Sequence, residues 1–82
     1  MPHIVLEQCL SDMAGDATTG IIFEFKEAVA ALHNHEPLNQ TEAEQIEALF
    51  ETMEAWACTG GTYELGAAAQ AADFTSQCNA FL

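Results

Sequence analysis

A stripe of apolar side chains at helical spacing is the feature that most constrains the fold of this 82-residue chain. Between Thr41 and Thr59, apolar residues recur at intervals of three and four and so share one helix face: Ile46, Leu49, Phe50, Met53, Trp56 and Ala57. Thr41, followed three residues later by Glu44, predicts a capping box at the start. Thr59-Gly60-Gly61 predicts the end. We expect this apolar face, including its two aromatic side chains, to be core and not a ligand site.

Three further segments show the same spacing. Their shared faces are Leu6, Cys9, Leu10 and Met13 in the first, Ile22, Phe25, Val29 and Leu32 in the second, and Ala67, Ala71, Phe74, Cys78 and Phe81 in the last. We expect the second to end near Asn34, ahead of Pro37, and the last to run from near Thr62 to the C-terminus. The stretch Gly15–Gly20 separates the first two.

These patterns predict an all-α fold, a compact three- or four-helix bundle, in one small domain that spans residues 1–82. An α+β alternative stays open at this point. The triplets Ile4-Val5-Leu6 and Ile21-Ile22-Phe23 would then form a short strand pair. If the second triplet is helical, Phe23 falls off the apolar stripe, and we expect it to be an exposed contact or part of a dimer interface.

The charge balance is the most unusual feature of the composition. The sequence contains thirteen acidic residues and only one Lys or Arg, Lys26, which gives a net charge of −12. Such a charge disfavours binding to free nucleic acid or to an anionic membrane and favours basic partners. Half of the residues are hydrophobic, which is too many for a disordered chain.

The acids of the third segment form a row. On a helical wheel Glu44, Glu47, Glu51 and Glu54 fall within about 80° of one another, opposite the apolar stripe. A solvated face rich in glutamate explains such a row equally well. However, an ordinary exposed helix intersperses bases that stabilise it by a few tenths of a kcal/mol per pair, and this one has none. Glu24 and Glu27 fall on the outer face of the second segment and form a possible second strip.

Cysteine usage and the N-terminal sequence predict a cytoplasmic protein. Cys9, Cys58 and Cys78 are odd in number and contain no CxxC pair, so we expect buried packing residues in a reducing setting and no disulfide framework. Residues 1–4 lack the basic region of a signal peptide. No apolar run approaches the ~18 residues of a membrane span.

Nothing in the sequence indicates catalysis or a cofactor. His3, His33 and His35 match no zinc spacing, and we expect His33 and His35 to mark a polar helix end. No glycine-rich phosphate loop and no nucleophile motif is present. The chain is therefore expected to be no enzyme and to hold no metal.

In size and charge the chain resembles the small acidic proteins that phages and mobile elements direct against host defences, which include anti-CRISPR proteins and other nucleic-acid mimics. That resemblance implies an inhibitor that docks on a basic, nucleic-acid-binding surface of a partner protein. Together with the row, it makes a non-enzymatic protein-binding modulator the leading hypothesis. The alternative is a structural or oligomeric helical module, such as a homodimer, whose acidity serves solubility.

Overall fold

Four helices make up most of the part of the chain that the structure, a computed structural model, describes: residues 4–12, 20–59 and 66–82. They are α1 (Ile4–Asp12), α2 (Gly20–His33), α3 (Gln40–Cys58) and α4 (Ala67–Asn79). No strand occurs within those ranges. The predicted all-α bundle is confirmed, with four helices in the described residues.

The α+β alternative is wrong, because both apolar triplets lie inside helices. Leu6 and Ile22 are buried, whereas their neighbours Val5 and Phe23 are 57% and 53% exposed. Leu6 shares its buried face with Leu10 at the interval of four residues that a helix requires. The exposure predicted for Phe23 is confirmed.

The helix ends differ from the predicted ones in detail. Helix α2 ends at His33, close to the predicted Asn34, and α3 ends at Cys58 with Thr59 as its C-cap. Helix α4 begins at Ala67, after Gly66, which adopts a left-handed backbone with φ of 88°. The predicted start near Thr62 lies outside the described residues, as do Met13, Gly60 and Gly61. Helix α4 also ends at Asn79, three residues before the C-terminal Leu82.

The helices pack in two main pairs, α2 against α4 and α1 against α3. An aromatic cluster of Phe25, Trp56 and Phe74 joins α2, α3 and α4, with ring centroids 5.5 to 5.9 Å apart. Such ring pairs contribute about 0.5–1.5 kcal/mol beyond the apolar area that they bury. The prediction that the apolar face of α3 forms core is therefore confirmed, with Phe50 buried and Trp56 half-buried.

Candidate partner-binding surface

The helix that carries the glutamates starts with a well-formed cap, two residues earlier than predicted. Asn39 is the N-cap, and its side-chain oxygen accepts a hydrogen bond of 2.8 Å from the backbone N–H of Glu42. In return, Glu42 Oε1 accepts one of 2.7 Å from the backbone N–H of Leu38. The predicted cap at Thr41 is wrong, because the helix already begins at Gln40 and Thr41 lies inside it, while the amide oxygen of Asn39 accepts from the first turn.

We use the name glutamate row for Glu44, Glu47, Glu51 and Glu54 of α3. Glu44, Glu47 and Glu51 are exposed and Glu54 is half-buried, while Ile46, Leu49, Phe50, Met53 and Ala57 are buried on the opposite face. The row spans about 15 Å at 1.5 Å per residue. Gln40 Nε2 lies 3.4 Å from Glu44 Oε1 at the start of the row. The predicted shared face is thus present, with its charges on the outside of the bundle.

The flank of α3 that faces α4 carries no charge. Gln45, Ala48 and Thr52 line a groove there, together with Gln77 and Phe81 from the C-terminal part of the chain. Helix α4 therefore adjoins the uncharged flank of α3, and the glutamate row lies on the side away from it.

Glu24 and Glu27, which we call the α2 pair, lie in a different place. Both are exposed, and they line the groove between α2 and α4 opposite Thr75 and Asn79. No glutamate of the row lines this groove or the groove between α3 and the C-terminal part of the chain. The row and the α2 pair lie on different helices, α3 and α2.

A groove between α1 and α2 holds the only Lys or Arg in the sequence. Lys26 and His33 line it from α2, with Glu7 and Leu10 from α1. Glu7 Oε1 lies 2.9 Å from His33 Nδ1. This groove therefore contains both an acidic and a basic side chain.

The histidines lie near the end of α2, as predicted. The His33 ring packs 4.9 Å from the Phe50 ring, and His35 Nε2 lies 3.5 Å from Glu42 Oε1. His3 is outside the described residues. Nowhere in residues 4–12, 20–59 and 66–82 do three or more histidine, cysteine, aspartate or glutamate side chains converge as potential metal ligands.

The cysteines are where the sequence interpretation fails. Cys9 and Cys58 form a disulfide, with their Cα atoms 5.3 Å apart and a sequence separation of 49 residues. Cys9 is half-buried and Cys58 is exposed, so neither is the buried thiol that we predicted. The expectation of a reducing setting rested on the lack of a cysteine pair and loses that support, since disulfides persist mainly in oxidising compartments.

Cys78 does match the prediction. Its side chain is completely buried, and burial raises the pKa of its thiol from 9.0 to about 11 because a thiolate loses its hydration in the core. A thiol of this kind is a packing residue and a poor nucleophile.

The disulfide also has a position relative to the glutamate row. Cys58 follows Glu54 by four residues, so it continues the row at helical spacing. The bond to Cys9 therefore fixes α1 beside the C-terminal end of the row. Sequence periodicity does not indicate that Cys9 and Cys58 meet.

Comparison of the chain with protein-family models, with curated proteins and with solved structures gives no match. Among the described residues, no helix combines the length and apolarity needed to cross a bilayer.

Proposed function

We propose that this chain is a non-enzymatic modulator that docks the glutamate row on a basic, nucleic-acid-binding surface of a partner protein. The observation that carries the proposal is the row itself. Four carboxylates lie at helical spacing on the outer face of α3, and the sequence contains no arginine and no lysine after Lys26. Like charges at three- and four-residue spacing repel one another, and a face of this kind is complementary in charge to a basic surface of a partner.

The geometry supports a short contact more than imitation of a duplex. Four charges over about 15 Å give one charge per ~5 Å, whereas one DNA strand carries a phosphate every ~3.4 Å and the duplex one per ~1.7 Å. The α2 pair adds no charge to this line, because it borders a different groove. Of the two versions of the hypothesis, docking on a few Lys and Arg side chains is therefore preferred over anti-CRISPR-like nucleic-acid mimicry.

Affinity capture from host lysate tests the proposal. The bait is compared with two double variants that change the net charge equally: Glu44→Lys/Glu51→Lys in the row, and Glu36→Lys/Asp73→Lys outside it. All four positions are exposed. Basic nucleic-acid-binding proteins should be retained at low salt by the original chain and by the second variant only. Equal retention by both variants would reject a role for the row.

A second candidate is a self-associating helical module whose acidity serves solubility. It is favoured by one observation, the exposure of the large side chains Phe23 (53%) and Ile21 (40%) on α2. Sedimentation velocity separates the candidates. Under this alternative the chain is a dimer that Phe23→Ser dissociates, and no basic partner is needed.

The cytoplasmic location belongs with the leading proposal, because nucleic-acid-binding partners of the proposed kind lie inside cells. Trapping of free thiols in intact cells tests it. Labelled Cys9 and Cys58 indicate a reducing compartment, and a protected pair indicates an oxidising one.

A further inference from the structure

The Cys9–Cys58 disulfide is accessible from solvent. Cys58 is exposed at the last residue of α3, and Cys9 is half-buried on α1. Of the two cysteines, Cys58 is therefore the one that we expect an external thiol to attack. Exposed disulfides are the ones that are labile or regulatory, whereas structural disulfides resist reduction.

Helix α1 depends on its neighbours for stability. It has nine residues, fewer than the ~12–15 that an isolated helix needs to be even marginally stable in water. Leu6 and Leu10 are its buried side chains, and Glu7 Oε1 lies 2.9 Å from His33 Nδ1. The disulfide is the one covalent link described between α1 and α3.

Side-chain contacts also join α2, α3 and α4 directly. Phe25, Trp56 and Phe74 join α2, α3 and α4 through direct ring contacts. The Cys78 sulfur also lies 3.8 Å from the Met53 sulfur between α4 and α3. None of these contacts includes a residue of α1.

We propose that the Cys9–Cys58 disulfide is a redox-labile clamp, which a dithiol reductant opens to release α1 from α3 while α2, α3 and α4 stay packed. A thiolate of the reductant attacks the Cys58 sulfur, the protein S–S bond breaks, and Cys9 leaves as a thiolate that takes up a proton. The reductant and Cys58 are then joined in a mixed disulfide. The second thiol of the reductant attacks the reductant's sulfur in that bond, and Cys58 leaves as a thiol. The protein gains two electrons and two protons, and the dithiol becomes a cyclic disulfide.

Hydrogen exchange with mass spectrometry on the full chain tests the clamp, using dithiothreitol as the reductant. In the oxidised chain the amides of α1 should be protected. On reduction their exchange should accelerate by about tenfold or more, as expected for a local opening, while the amides of α3 and α4 keep their protection. No partner is needed, so the result is independent of the proposed function.

Two variants make the result specific. Cys9→Ser/Cys58→Ser should show fast exchange in α1 both with and without dithiothreitol, which excludes a direct effect of the reductant. Cys78→Ala keeps the disulfide and should respond like the original chain. Unchanged protection of α1 after reduction would overturn the proposal. Simultaneous loss of protection in all four helices would overturn it too, because the disulfide would then stabilise the whole fold.

Discussion

The sulfur atoms of Cys78 and Met53 lie 3.8 Å apart in the buried contact between α4 and α3. Cys78 is 0% exposed, and burial raises the pKa of its thiol to about 11. The thiol therefore stays protonated in the folded chain at a pH where the unfolded chain begins to lose that proton.

Alkaline pH should destabilise the fold through this residue. The pKa of the Cys78 thiol is higher in the folded chain than in the unfolded chain. The stabilisation of the fold by the protonated thiol is therefore fully present below pH 9.0 and is lost progressively as the pH rises to about 11. A shift of about two units corresponds to ~2–3 kcal/mol at 1.36 kcal/mol per unit. Urea unfolding measured across this range should show the loss in the original chain and lack it in Cys78→Ala. Parallel pH profiles for the two proteins would contradict the assignment.

The cap of α3 gives a second prediction. Asn39→Ala should lower the free energy of unfolding by about 1 kcal/mol, because the N–H of Glu42 loses its acceptor. Thr41→Ala is the matched control. Thr41 lies inside the helix and is exposed, so its replacement should change stability by less than ~0.5 kcal/mol. Chemical denaturation of both variants checks this, and a larger loss for Thr41→Ala would restore the cap predicted from sequence.

Two phenylalanines provide a third prediction. Phe74 is 2% exposed and stacks on Phe25 at 5.8 Å, whereas Phe23 is 53% exposed. Phe74→Ala should therefore cost about 3–5 kcal/mol through the cavity that it leaves. Phe23→Ala should cost less than ~1 kcal/mol in the monomer. Thermal unfolding followed by circular dichroism compares the two, and similar losses would be inconsistent with the described core.

The features predicted correctly depend on one helix at a time. The apolar stripe and the glutamate row of α3 follow from periodicity alone, because residues three and four apart share a helix face whatever the helix packs against. The same reasoning from local spacing applies to the N-cap of α3. Asn39 and Glu42 have the spacing of Thr41 and Glu44, and the sequence offered both pairs.

The features that were missed depend on how helices pack against each other. Cys9 and Cys58 are 49 residues apart, and only the packing of α1 on α3 brings them together. In the same way, sequence periodicity does not show which groove Glu24 and Glu27 border, because that groove forms only when α2 packs on α4. No local pattern contains this information.

The central claim is that the glutamate row binds a basic protein surface. Its most direct test is the dissociation constant of a captured basic partner for three proteins: the original chain, Glu44→Lys/Glu51→Lys and Glu36→Lys/Asp73→Lys. Each charged hydrogen bond that the row loses is worth ~1.5–3 kcal/mol where it is desolvated. Two such losses correspond to a weakening of ~100-fold or more.

We predict that weakening for Glu44→Lys/Glu51→Lys and a change of less than ~10-fold for Glu36→Lys/Asp73→Lys. The original chain should bind more weakly as salt rises from ~50 to ~200 mM. Helicity should be the same in all three proteins. If the two variants bind equally well, or if salt has no effect on the original chain, the glutamate row is not the binding surface.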